Sequence, residues 1–545
     1  MKSLRYVAAA AAILAPAFAI TAPAAADDDS KLKRIQSEGY IGQLSRRAIA
    51  KGAIQRLKNK GFSNRPLSTR NRVFFWHEVA LDSVAIDHTP DELTGEAALN
   101  NGGPTRTSRA LAMTQIAVFD ALNAFNRRFE AYEFDGTARR GRTSDDAAVA
   151  AAAYGVLKEL YPEQEDRLRD IFDADLDRIR GSRRAILRGV TLGFNSAGAI
   201  LDNRDGDGSE IGDPSFGEGG AVADGGTTFF GTPVNGGTTL TGEWTPDPNT
   251  PEFAGEFNLS LGAFWGAVTP FSMDSGDQFR IDPFPALDSA EYEFAYNETA
   301  AVGGAPTNTG TASTGTNDTR FIGNYWGYDG VPLIGVPPRL YAQIAAQNID
   351  DEGVRSPVRV ARLLALVNVA QADAAIGAWD SKYFYNYWRP VVGIRSDDTN
   401  ANTPQDMDWD PVGTSVINTD NAIRPTPPFP AYPSGHAAFG AATFEVLRDE
   451  FGDSTPFTFI SDEYNGEGTD PFDEDNIPDA AGTPRPLVPV RYSNFTEAQV
   501  ENGRSRVFNG VHWNFDDIEG QGQGVEIARN LLDNNDAFQR RRRRR

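Results

Sequence analysis

The chain has 545 residues, 40% of them hydrophobic, so it can bury one large core or two fused ones. Its 75 acidic and 52 basic residues leave a formal charge of −23, which argues against nucleic acid and anionic membranes as partners. It has no cysteine, which excludes disulfides and thiolate metal sites.

The first residues read as an export signal. Lys2 and Arg5 form a basic start, Tyr6 to Ile20 an alanine-rich apolar run, and Ala24-Ala25-Ala26 a small-residue cleavage site before Asp27, with Ala17-Phe18-Ala19 as an alternative cut. A secreted or periplasmic protein is therefore expected. No later stretch holds the roughly 20 continuous apolar residues of a membrane span. Residues 27–70 are polar and basic, a short helical lead-in. Between Thr105 and Asn126 apolar residues recur at spacings of three and four (Leu111, Ile116, Phe119 and Leu122 among them), which predicts an amphipathic helix. Ala147 to Ile179 predicts a helical hairpin broken at Tyr161-Pro162, and Arg183 to Leu201 a further helix.

Asp202 to Thr245 reads as loop. Within it Asn203, Asp205 and Asp207 have the spacing of a calcium loop, but Pro214 stands where its last acidic ligand is needed. Gly303 to Thr316 reads as a flexible surface insertion. Pro357 to Trp379 is the strongest helix, with Val360, Leu363, Leu364, Val367, Ala370 and Ala374 on one stripe. Ala437 to Glu450 and Gln523 to Leu532 are helical as well. Strand patterns are scarce and the chain is expected to be all-α. Six arginines, Arg540 to Arg545, end it as a frayed, solvated tail.

Three stretches carry chemistry. Lys382 lies seven before Arg389-Pro390; if one helix ran through both, about 700° of turn would bring them to one face. Pro433-Ser434-Gly435-His436 ends a proline-rich run at a helix start, where free amides and the positive end of the helix favour an anion. Ser505-Arg506 is followed by His512, and the spacing calls for a break at Asn509-Gly510 if both line one pocket. Together they offer three cations, a hydroxyl, a glycine amide and two imidazoles, a complement to a tetrahedral oxyanion. Asp516, four beyond His512, is placed to orient its ring. The other two histidines, His77 and His88, lie in a loop-like segment and are expected to be structural or on the surface.

At these residues the chain resembles the vanadium-dependent haloperoxidases, which share their fold with type 2 phosphatidic acid phosphatases and bacterial acid phosphatases. The resemblance implies two packed helical bundles: an N-terminal half (27–316) after a signal peptide (1–26), a C-terminal half (317–535) carrying the pocket, and a tail (536–545). It implies vanadate as cofactor, with His512 bound to the metal and Lys382, Arg389, Arg506, Ser434 and the Gly435 amide around its oxygens. His436 would be the acid–base, and Trp379 and Phe429 would line the halide side. Hydrogen peroxide, a halide and small organic acceptors would be the substrates. Two alternatives remain at this point: an exported phosphatase with His512 as nucleophile, and a surface protein that only binds anions. Oligomeric state is not legible.

Overall fold

The computed structural model describes residues 67–91, 95–216, 241–249, 259–419, 424–469 and 484–541. The export signal, most of the lead-in and Arg542 to Arg545 lie outside them. The described residues form helices joined by long loops, with one two-stranded sheet.

The first layer is α1 (Thr69–Asp87), α2 (Gly103–Asn123), α3 (Asp145–Leu160), α4 (Glu165–Leu176) and α5 (Arg183–Asn203), with α3 packed on α2, α1 and α5. The expected hairpin break is present: a 3₁₀ turn at Pro162–Gln164 separates α3 from α4. Further along come α6 (Ala290–Val302), α7 (Asn317–Tyr325), α8 (Pro337–Asp351), α9 (Pro357–Tyr385), α10 (Pro390–Arg395) and α11 (Gly435–Phe451). The strands β1 (Phe457–Asn465) and β2 (Leu487–Tyr492) pair antiparallel, and α12 (Phe495–Phe508) and α13 (Asn514–Asn534) follow.

Helix α9 organises the core. It packs against α2 on one side and against α11 and α13 on another. Its length and composition would suit a membrane span, but 94% of its most apolar window is buried inside the protein. Apolar residues therefore surround it instead of forming a single stripe.

Several expectations change. His77 and His88 lie in no loop: His77 sits within α1 with Nε2 3.2 Å from Ala342 O, and His88 caps the helix while its Nε2 accepts from Gly103 N at 3.1 Å. The Asn203–Asp207 stretch, already disfavoured as a calcium loop by Pro214, has Asp207 held by Arg109 (2.8 Å) and Arg204 (2.9 Å), cations of the protein's own. The chain's end is not frayed as far as it is described. Phe538 is buried against Phe119, and Arg541 bonds Phe129 O and pairs with Glu130 and Asp135.

Candidate anion site

Each of the three motifs is preceded or followed by aromatic residues, and these pack on one another. Tyr387 and Trp388 precede Arg389, Tyr432 precedes Ser434, and Trp513 and Phe515 follow His512; all five are buried in one cluster. Phe515 lies edge-on to Tyr387 and Tyr432, with centroids 5.7 and 5.9 Å away, and Trp513 Nε1 donates to Trp388 O at 3.0 Å. Burying this many rings draws the three backbones together, and the polar residues between them face one another.

Lys382 and Arg389 do meet, but not along one helix. Helix α9 ends at Tyr385 with Asn386 in the left-handed region (φ 49°). Pro390 then opens α10 and keeps Arg389 extended. The buried Lys382 Nζ donates to Pro430 O, Ala431 O and Pro433 O. An ammonium has three donors, so the lysine staples the proline-rich loop while its charge faces the pocket. Arg389 donates Nε to Phe429 O (3.0 Å) and Nη1 to Val511 O (2.8 Å) and His512 Nε2 (3.0 Å). Its Nη2 is buried and has no partner among the described residues.

Ser434 caps α11, its Oγ accepting from Ala437 N, and its own N–H donates to Asp516 O at 2.9 Å. Gly435 is the first helical residue, where an N–H has no partner within the helix. A Cβ there would come 3.2 Å from the Trp379 ring. That ring packs on Phe429 with centroids 4.9 Å apart, and both rings stand beside Lys382 Nζ, at 5.6 and 5.0 Å.

The expected break between Arg506 and His512 is there: α12 stops at Phe508, and Gly510 takes φ 68°. His512 Nδ1 donates to Asp516 Oδ2 at 2.7 Å, leaving Nε2 as the lone pair that faces the cations. Burial, then Arg389, Lys382 and Arg506, holds the His512 pKa well below the usual imidazole value. Burial pushes Asp516 up to about 7 and Arg389 down to about 9. Burial, then Arg389, lowers Lys382 well below its ordinary range. His436 Nε2 donates to Gly327 O at 2.7 Å; burial, then Arg506, lowers its pKa to about 3.

Sequence reasoning missed Asp329. Its carboxylate holds Arg506, with Nη2–Oδ1 at 2.7 Å, and stands 4.0 Å from His436 Nε2. No motif marks it, since 177 residues separate it from Arg506. Arg506 Nε is buried and has no partner among the described residues.

The arrangement fits an oxyanion. Among the described residues Arg389 Nη2 and Arg506 Nε lack acceptors, and α11 starts at Gly435 beside them. On top of burial, Arg389 lowers the pKa of Lys382 while Arg506 lowers that of Arg389. Among the described residues no three His, Asp or Glu side chains cluster to hold a bare cation. A metal held here has to bring its own oxygens and use one imidazole.

A family model described as the VCPO second helical-bundle domain matches residues 362–540. The vanadium chloroperoxidase of Curvularia inaequalis is 31% identical over 497 residues, 82% of this chain and 79% of that protein. The structure of a bacterial vanadium-dependent iodoperoxidase matches with a TM-score of 0.62 at 20% identity, over 88% of this chain and 100% of that one. A holo-type bacterial vanadium-dependent chloroperoxidase matches with a TM-score of 0.57 at 17% identity, over 83% and 96%. At such identities the two structures speak for the fold.

Proposed function

This chain belongs to the vanadium-dependent haloperoxidase family, and from that membership we propose that it binds vanadate at His512 and oxidises halide with hydrogen peroxide. One observation carries the reading: a neutral imidazole, its Nδ1 fixed by Asp516, presents its lone pair among three buried cations. Among the described residues Arg389 Nη2 and Arg506 Nε have no partner and would take anionic oxygens, joined by the N–H of Gly435 at the helix start, with Lys382 adding its charge and Ser434 its hydroxyl.

Bound vanadate supplies Lewis acidity that polarises peroxide, so that halide, peroxide and one proton become hypohalous acid and water. The protein's part is binding, orientation and the proton. Asp516 holds the proton on His512 Nδ1, so Nε2 keeps its lone pair, which here accepts from Arg389 Nη1 and would pass to the vanadate. His436, anchored through Nε2, gives or takes a proton at Nδ1; a nearby anion raises its affinity for that proton, against the burial that lowers it. Trp379 and Phe429 exclude water beside the cations and form an apolar wall for a weakly hydrated halide. The leader-like start of the sequence supports an exported enzyme.

The test is halogenation of a phenolic acceptor by apoprotein, with and without orthovanadate, in chloride, bromide and iodide separately and without phosphate. Vanadate-dependent activity with at least one halide is expected. Inactivity with all three on folded protein, together with hydrolysis of a phosphate monoester, would replace this reading with a phosphatase using His512 as nucleophile. Inactivity in both assays would leave an anion-binding protein.

A further inference from the structure

The part of β1 that leaves its ladder is the part that reaches toward the pocket. Pairing with β2 runs from Phe457 to Ile460 and is irregular until Asn465. Such interruptions free a strand to aim its groups elsewhere. Here Ser461 Oγ donates to Tyr325 O (2.7 Å), and Asp462 N donates to the Tyr328 hydroxyl (2.8 Å). The buried Glu463 accepts from Tyr328 N at Oε1 (2.9 Å) and from Ser415 Oγ and Arg485 Nη1 at Oε2 (2.7 Å each). Ser415 in turn donates its backbone N–H to Asp329 Oδ2 at 3.0 Å.

Tyr328 lies between the two residues that matter. Gly327 O accepts from His436, and Asp329 holds Arg506. The fit against Glu463 is close, because a Cβ on Gly327 would stand 2.8 Å from Glu463 Oε1 and 2.9 Å from Asn324 O. We infer that Glu463 is a positioning residue of the anion pocket: through Tyr328 N and Ser415 it fixes the Gly327–Asp329 loop, which sets the ring of His436 and the guanidinium of Arg506. The carboxylate suits the task because two backbone-linked donors and a guanidinium converge on it, and an amide would turn one donor pair against them. Strand β1 is thereby a working part of the site through the residues it holds in place.

The test reads the histidine first. The chain has four histidines, so the ¹⁵N imidazole signals of apoprotein can be assigned with His436→Gln. Glu463→Gln is expected to move the His436 Nε2 signal away from its hydrogen-bonded position while His77 and His88 stay in place. Orthovanadate affinity, measured by calorimetry, should weaken by about 10-fold or more, as for other groups that orient a site from outside. Gly327→Ala, which disturbs the same contact from the loop side, should reproduce both changes even if Glu463→Gln folds poorly. Phe457→Leu, in the hairpin packing against Tyr492 and Phe495, should lower the melting temperature and change neither. An unmoved His436 signal in both site variants, or an equal change in Phe457→Leu, would overturn the inference. It rests on the vanadate reading only for the affinity: wild-type protein that bound no orthovanadate, with the His436 signal still moving, would sink that reading and leave the positioning role standing.

Discussion

His512→Ala is expected to abolish vanadate-dependent halide oxidation and to weaken orthovanadate binding by more than about 100-fold, beyond the cost of losing an outer partner. The wild-type ring offers a neutral nitrogen lone pair 3.0 Å from Arg389 Nη1, and among the described residues the other acceptors of Arg389 are backbone carbonyls. Folding should suffer far less. Asp516 keeps the Trp513 N–H at 3.1 Å, and Arg389 keeps the carbonyls of Phe429 and Val511. Calorimetric binding and a melting curve on the same preparation check this. Retained vanadate affinity would remove His512 from the site; added imidazole that restores binding would support a ligand role.

Lys382→Met is expected to be the most destabilising single change at the pocket, by about 3 kcal/mol, because it strands three buried carbonyl oxygens at once. Losing a buried ammonium relieves some desolvation, which keeps the figure below the sum of three unpaired groups. Those carbonyls belong to Pro430, Ala431 and Pro433, the run that delivers Ser434, Gly435 and His436. Anion binding should therefore fall with stability, and high orthovanadate should recover part of the melting temperature. Urea unfolding of apoprotein measures it; a loss under 1 kcal/mol would show that the loop holds its shape without the staple.

The pocket's donors were legible in the sequence because side-chain type and spacing decide them, and the break before His512 followed from helical geometry alone. Its acceptors were not. Lys382 and Arg389 are satisfied mostly by backbone carbonyls, which every residue has, and Asp329 reaches Arg506 from a loop with no motif of its own. Helix α5, with a water-facing side, was predicted nearly to its ends, and so was α2, although it is buried almost throughout, because its large apolar residues recur at helical spacing. Helix α1 was missed because its buried residues include polar ones, Arg72, His77, Asp82, Ser83 and Asp87, scattered among the apolar, so no apolar stripe stands out at helical spacing. The hairpin escaped for a related reason: every residue of β1 is buried, and Ser461, Asp462 and Glu463 are polar in succession because they bond to the loop beside them.

Helix α9 has its middle in the shared core and its last turn at Lys382. Segments that open locally are those with few buried contacts, and this one has buried contacts along nearly its whole length. Amide protons from Leu363 to Trp379 should thus exchange with deuterium only when the whole molecule unfolds. The floor of the pocket then has no separate melting event, so any bound oxyanion must come and go past the surrounding loops while the helix beneath it stays shut.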